Sequence, residues 1–350
     1  MREVLSVKFS VGYRLTEDGA WFHYLLDRRE KVAEVYFPLT GFASGREEEI
    51  LPGLSPFESE AQKRRELAAL HRAGIGLNLL LNGNCYGADA LSRVFFLNLG
   101  DAVDEAIAEF GVSSVTTTSP VIAKFLKQNF PALGVRASVN MEIGTRDGMS
   151  YLADRFDGFY LAREHNRNFP EIRKAKAWCD AHGKTLHLLA NSGCLNHCSA
   201  HHFHDNLVAH HEEIRRADNA YEFQGVCWEY LHDLRHVDRY LEITNFIRPE
   251  DIFRYEEWFD CVKLATRASR HPERTLRAYI EGRHIGSVMN LLEPDHSGGI
   301  LPLLVENSAI PADFAEIVGN CQKDCETCGY CRKVLRGALI QMEDIVHADC

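Results

Sequence analysis

The sequence predicts an α/β protein: a (β/α)8-type TIM-like barrel with a C-terminal cysteine-rich appendage. Three observations carry that reading. Short β-rich runs alternate with amphipathic helical segments at a spacing of roughly thirty residues, the mark of βα units and a parallel sheet. Eight or nine such units fill about 265 residues, which suits a closed barrel better than a doubly wound sheet. No glycine-rich phosphate fingerprint follows the first strand, as a dinucleotide-binding fold would need.

The strands read, in order, LSVKFSV, VAEVYFPL, IGLNLLLN, SVTTTS, VRASVN, FDGFYLA, TLHLLAN, LEITNFI and DCVKLAT. Each is rich in β-branched or aromatic residues. The clearest helices between them are ESEAQKRRELAALHRAG, GDAVDEAIAEFG, SPVIAKFLKQNFP and FPEIRKAKAWCDAHG. Gly74, Gly111 and Gly183 stand where helices should stop, because glycine tolerates the left-handed conformation of a C-cap. The barrel is assigned to residues 1–285. Residues 286–350 form the appendage, a loop-rich passage (SVMNLLEPDHSGGILPLLVENSAIP) leading into CQKDCETCGYCRKVLRGAL.

Composition narrows the function. Hydrophobic content of 45% and charged content of 25% describe a folded globular chain. A formal net charge of −11 argues against broad capture of nucleic acid or of an anionic membrane surface. The segment MREVLSVKFS has no apolar signal-like core, and no uninterrupted apolar run is long enough to span a bilayer. The expected location is the cytoplasm. Eleven cysteines in a reducing compartment then point to thiolate–metal chemistry rather than to disulfides.

A barrel places its chemistry at the C-terminal ends of its strands. There the sequence puts Asn82, Asn84 and Cys85, then Arg163, Glu164 and Asn166, then Asn191, Ser192 and Cys194, then Thr266 and Arg267. Cys194 and Cys198, spaced by three residues, would lie one turn apart on a helix face. Two thiolates do not complete a site, and Cys227 and Cys85 are the best further candidates. Cys261 and Cys179 read more simply as small buried residues. Cys350 is the last residue. A thiol nucleophile, Cys194 with His201, His202 or His204 as base, is a competing reading, as is a mixed Cys/His zinc site. His210 and His211 read as the exposed face of a helix.

The strongest local signal is Cys321-x3-Cys325-x2-Cys328-x2-Cys331. Four thiolates this close serve a tetrahedral zinc ion or an iron–sulfur cluster. The first three also match the CxxxCxxC of radical-SAM enzymes, which place it after the first barrel strand and not near the C-terminus.

Taken together, NSGCLNHC followed by FHDN, the lone Cys227, IRPEDI, VKLATR, AYIEGR and the four-cysteine tail resemble the peptidase U32 superfamily, and within it an uncharacterised bacterial branch. The superfamily's name implies collagenase-like proteolysis. Other members are known as proteins for the oxygen-independent hydroxylation of ubiquinone precursors and for hydroxylating tRNA and ribosomal RNA. The ubiquinone members are barrels holding a [4Fe–4S] cluster on four cysteines, an early rim cysteine joined to a later group with a C-x3-C. Carried over, that makes Cys85, Cys194, Cys198 and Cys227 the first set of ligands. Cys261 is the alternative to Cys85. Cys321, Cys325, Cys328 and Cys331 would hold a second [4Fe–4S] cluster or Zn2+. The branch's Pro-Phe-Arg after the second cysteine is Ser199-Ala200-His201 here, and its Gly-Arg after the ninth strand is Thr266-Arg267. Arg248-Pro249-Glu250-Asp251 is intact. The cradle is kept while the substrate wall differs.

The expectation is an iron–sulfur-dependent redox enzyme, performing oxygen-independent hydroxylation or a related modification of a small molecule or RNA base with an unnamed electron donor. Glu164, His204 and Arg267 are its candidate catalytic residues, and Arg163, His201 and Asn206 its candidate substrate contacts. The alternatives are a U32-type peptidase, although HExxH, GxSxG and papain-like signatures are missing, and a non-catalytic iron–sulfur or zinc assembly partner. The resemblance also implies a paired U32-type partner protein.

Overall fold

The computed structural model describes residues 6–45 and 53–342, so Cys350 lies outside the described residues. The first half of the chain runs β1 (Lys8–Gly12), α1 (Ala20–Asp27), β2 (Val32–Pro38), α2 (Pro56–Arg72), β3 (Gly76–Leu81), α3 (Arg93–Phe110), β4 (Ser114–Thr117), α4 (Pro120–Asn129) and β5 (Gly134–Ala137). Next come α5 (Arg146–Ser150), β6 (Gly158–Tyr160), α6 (Phe169–Ala181) and β7 (Thr185–His187). Four short helices follow: α7 (His201–Ala209), α8 (His211–Arg216), α9 (Val226–His232) and α10 (Tyr240–Ile243). The barrel ends with β8 (Cys261–Lys263) and α11 (Pro272–Glu281). The remainder holds β9 (Leu303–Val305), α12 (Phe314–Gly319), α13 (Cys325–Cys328), α14 (Tyr330–Ala338) and β10 (Leu339–Gln341).

Strands β1 to β7 lie side by side in chain order, all parallel, and β8 adds to the free side of β1. The Lys263 N–H donates to Leu188 O at 2.9 Å and Lys263 O accepts from Ala190 N–H at 2.9 Å, which closes the sheet into the expected barrel. The helices begin where local chemistry satisfies their free N–H groups. Ser55 and Glu58 form a reciprocal capping box on α2, Ser92 caps α3 and Ser119 caps α4. Gly74, Gly111 and Gly183 all have positive φ, as expected of C-caps.

The helices bury one face against a continuous shell that includes Phe9, Val35, Leu79, Val115, Phe159, Leu188 and Leu264. Inside the barrel the packing is polar. Glu34 pairs with Arg136 at 2.6 Å and accepts from Ser10 at 2.8 Å and Asn78 at 3.1 Å. Burial alone would push Glu34 up; Arg136 and these donors overcome it and hold the carboxyl below its ordinary range.

One strand of the sequence reading is corrected. LEITNFI is not a strand: its first half is α10, and only Thr244 makes a bridge, to Leu195. The reason lies in where its carbonyls go. Leu241 O accepts from Arg167 and Tyr240 O, just before the segment, from Thr244 Oγ1, so side chains take these carbonyls. Tyr240, Leu241 and Phe246 instead join a second apolar cluster with Leu231, Val288, Leu292, Val305 and Leu335. Residues on both sides of position 285 thus share one core. Arg248 fastens it, bound to both oxygens of Asp251 and to Ile310 O and Pro311 O at 3.0 Å. Among the described residues, no helix is long and apolar enough to cross a membrane.

Candidate functional site

The rim loop after β7, residues 191–200, is fixed from three directions. Asn191 donates to Ala265 O at 2.9 Å and to Leu291 O at 2.8 Å, and accepts from Ala265 N–H at 2.6 Å. Gly193 passes so close to Pro294 that a Cβ would stand 2.2 Å from its carbonyl oxygen. His197 turns the chain at φ 53°, its N–H held by Glu164 Oε1 at 3.2 Å. Cys194 and Cys198 therefore sit on a tight loop and not on a helix, as the spacing suggested; α7 starts only at His201.

This loop and α9 bring Cys194, Cys198 and Cys227 to one chamber of about 730 Å3, which His201, His204 and Asp205 of α7 also line. Burial, joined by charge on Cys194 and Cys198, pushes the Cys227 thiol up to about 11. Cys198 is raised by burial and by Cys194. Thiols that resist ionisation in one another's presence become thiolates when a cation sits among them. His204 stands beside Cys227: a Cβ on Gly225 would lie 3.5 Å from Cys227 Sγ and 3.8 Å from His204 Nδ1.

Cys85 is placed apart from these three. It bonds to His210, which lowers the thiol and raises the imidazole, and His210 Nδ1 is 3.1 Å from Glu213 Oε2. His210 is the joint between α7 and α8, where its ring is partly exposed. Cys261 begins β8, opposite Lys8, at the far end of the barrel, where burial pushes it up to about 12. It is remote from the chamber. Cys179 is buried under α6, as expected.

Of the other candidate residues, His201 and His204 line the chamber and Arg267 the barrel mouth. Arg163 spans the two, bonded to His201 at 3.1 Å and to Asn140 Oδ1 at 2.9 Å. Glu164 is occupied in holding the loop at His197. Asn206 is exposed on α7, and its neighbour Asp205 faces inward, 3.3 Å from His201 and 3.1 Å from Asn84. The His201-x3-Asp205 spacing, one helical turn, was the signal that could have marked Asp205. Glu142, 3.2 Å from His202 and raised by burial, and Lys263 were not singled out.

The mouth itself is a narrow cavity of about 50 Å3, lined by Tyr36, Asn82, Arg163, Lys263, Arg267 and Glu293 among others. It meets the larger chamber at Cys194 and Glu293, which line both.

Near the C-terminus, Cys321, Cys325, Cys328 and Cys331 all line one cavity of about 260 Å3. Burial pushes Cys331 up to about 11 and raises Cys325. Beside them lies the buried guanidinium of Arg167. Burial lowers it, and Cys331 is the largest opposing influence. Its Nη1 is buried with no hydrogen-bond partner among the described residues, a donor suited to a sulfur-rich anion. Among the described residues, no three His, Cys, Asp or Glu side chains are drawn tightly enough about one point to hold a single metal ion. Sulfurs around zinc stand within about 4 Å of one another, since each Zn–S bond is about 2.3 Å. The four tail cysteines share one cavity without standing that close together.

No family model matches the chain, and no curated protein does. Among solved structures, it is similar to the U32 peptidase Mk0906, at 15% identity over 74% of this chain and 92% of that one, with a TM-score of 0.53. A GH113 β-1,4-mannanase (11% identity, 80% of this chain and all of that one, TM-score 0.40) is also similar. So is the phosphoribosyl anthranilate isomerase of Thermus thermophilus (12% identity, 79% and 98%, TM-score 0.39). At these identities the likeness to the U32 peptidase is one of fold.

Proposed function

We propose that the protein is an iron–sulfur redox enzyme of the U32 type that modifies a small molecule, by oxygen-independent hydroxylation or a related reaction. The observation that carries this reading is the convergence of Cys194, Cys198 and Cys227 on the 730 Å3 chamber at the functional end of the barrel. They would hold the first cluster. Cys85 completes the set only by leaving His210, and His204 is the nearer imidazole. Cys321, Cys325, Cys328 and Cys331 would hold a second cluster, with Arg167 beside it. Bound there, clusters supply one-electron transfer, at potentials set by burial and by hydrogen bonds to sulfur.

The chain's own residues do the rest. Arg163 and Arg267 orient an anionic group at the mouth. Asp205 positions His201, and His204 can hold or release a proton beside the cysteines. The chamber's volume suits a drug-sized substrate rather than an RNA strand, and the net charge of −11 agrees.

The test is iron and sulfide per chain after anaerobic reconstitution, in the wild type, in Cys194→Ser/Cys227→Ser and in Cys325→Ser/Cys328→Ser. Two clusters predict that each double variant loses about half of the metal. A wild type with no iron, no sulfide and no brown absorbance overturns the reading.

A different observation favours one alternative. Cys85, His210 and Glu213 stand in the order of a thiol nucleophile, its base and an orienting carboxylate, the order that thiol-dependent peptide hydrolysis needs. Peptide hydrolysis lost in Cys85→Ala with iron content unchanged would establish it.

A further inference from the structure

Lys263 is the last residue of β8 and points into the barrel among groups from β2, β5, β6 and β7. Its ammonium lies 4.0 Å from the centre of the Tyr36 ring and 5.2 Å from that of Tyr160. Among the described residues Nζ makes no hydrogen bond and no ion pair. The charged groups that act on it are Arg267 and Glu293 at the mouth, and Glu34 and Arg136 beneath, which neutralise each other. His187 of β7 is also in that interior and is pushed down to about 3 by burial and Arg136, so it stays neutral. Lys263 is 9% exposed, and that exposure opens on the 50 Å3 mouth cavity.

Two arginines share the cavity with this amine. Arg163 lines the same cavity, and its Nε is buried with no hydrogen-bond partner among the described residues. Arg267 lines it from the segment after β8, donating to Ser44 at 3.2 Å. A buried, unpaired lysine next to another cation is the setting in which an amine becomes a nucleophile toward carbonyl carbon. Guanidinium groups beside it select a carboxylate. The small cavity admits the reacting end of a molecule whose remainder extends into the chamber at Cys194.

We propose that Lys263 is a nucleophilic amine that condenses with the carbonyl of a small 2-oxo carboxylate held by Arg163 and Arg267. The Nζ lone pair adds to the carbonyl carbon, and the C=O π pair moves to oxygen, which takes up a proton as nitrogen loses one. The carbinolamine C–O bond then breaks, water leaves, and a C=N bond forms. The balance is amine plus carbonyl giving imine plus water, with no change of oxidation state. Burial pushes the Lys263 ammonium down to about 7, with Arg267 adding to the effect, so a large fraction of the amine is neutral near pH 7. The inference stands apart from the iron–sulfur reading, because no cysteine takes part.

The experiment traps the imine with sodium cyanoborohydride, using glyoxylate as the probe on the full chain and mapping the adduct by peptide mass. The expected result is one dominant adduct, on Lys263, lost in Lys263→Met and in Lys263→Arg. Arg267→Gln should lower the yield about tenfold at limiting glyoxylate, the scale of one lost charge-assisted contact. Acetaldehyde, without the carboxylate, should label Lys263 no better than Arg267→Gln is labelled by glyoxylate. The trapping rate on Lys263 should rise between pH 6 and 8 and then level, whereas a solvated lysine keeps gaining to pH 10. Adducts spread over surface lysines, or a Lys263 rate still climbing at pH 10, overturn the proposal. The mapping on wild type decides it even where a variant folds poorly. Repeating it on Cys194→Ser/Cys227→Ser keeps its outcome separate from that of the iron assay.

Discussion

Replacing Lys263 by methionine should stabilise the protein, and by an amount that depends on pH. Methionine keeps the volume and removes a charge that sits in the barrel without a carboxylate partner. The amine is pushed down to about 7 from 10.5. That gap corresponds to about 5 kcal/mol of unfavourable charge burial, at about 1.4 kcal/mol for each pH unit. The sign follows from proton counting. Between pH 7 and 10.5 the unfolded chain binds more protons at this lysine than the folded chain, so wild-type stability gains as pH rises through that window. Below pH 7 the full penalty is present. The advantage of Lys263→Met should therefore be greatest at pH 6 and should shrink by roughly 1–3 kcal/mol by pH 9. Urea unfolding at pH 6, 7.5 and 9 under reducing conditions, at constant m-value, measures it. A variant less stable than wild type at pH 6, or a difference that does not narrow, would refute the claim that the lysine is buried as an unpaired cation.

Three further outcomes are expected. Arg248→Met should cost about 3–5 kcal/mol, because it strands the buried Asp251 carboxyl and frees the Ile310 and Pro311 carbonyls; in urea unfolding, Arg248→Met/Asp251→Leu should recover part of that loss. Cys85, lowered by His210, should alkylate with iodoacetamide at pH 7.5 faster than Cys227, raised to about 11, and His210→Ala should slow Cys85 alone; equal rates for Cys85 and Cys227 would contradict the placement. Gly193→Ala must move backbone, since its Cβ would meet Pro294 O at 2.2 Å, so a destabilisation of about 1–3 kcal/mol should come with faster alkylation of Cys194 as the loop is displaced.

The barrel was legible in the sequence because its signal is periodic and local. Alternating strand and helix patterns with serine N-caps and glycine C-caps need no knowledge of long-range contacts. LEITNFI failed for the complementary reason. Its alternation is that of a strand, but Arg167, far away in sequence, takes Leu241 O, and its first residues turn into α10. At the rim, counting to strand ends points to Arg163, Arg267 and Cys194, which line the mouth or the chamber. The orientation of α7 was not legible. Which of Asp205 and Asn206 faces inward depends on where the helix starts, and residues 191–200 turn too tightly for helical counting. Lys263 was missed because a lysine in an apolar run reads as the exposed side of a strand. Inside a barrel, both faces of a strand are covered.

The two cysteine sites are not independent parts joined by a linker. Asn196, two residues after Cys194, donates its N–H to Ile243 O at 2.7 Å and accepts from Asn245 Nδ2 at 3.0 Å. Asn245 Oδ1 in turn accepts from Arg167 Nε at 3.2 Å. Arg167 is the buried cation that faces Cys331 and Cys321, and Lys323 of the tail cavity donates to its carbonyl. Glu242, in the same segment, lines the tail cavity and binds Arg332 of α14. Residues 240–246 are thus one wall shared by both sites, which is why this stretch left the sheet. A strand there would have spent Leu241 O, which takes Arg167 Nη2, on a neighbour. The appendage is best understood as a second layer built on the rim, its register set by the same few side chains that hold the Cys194 loop.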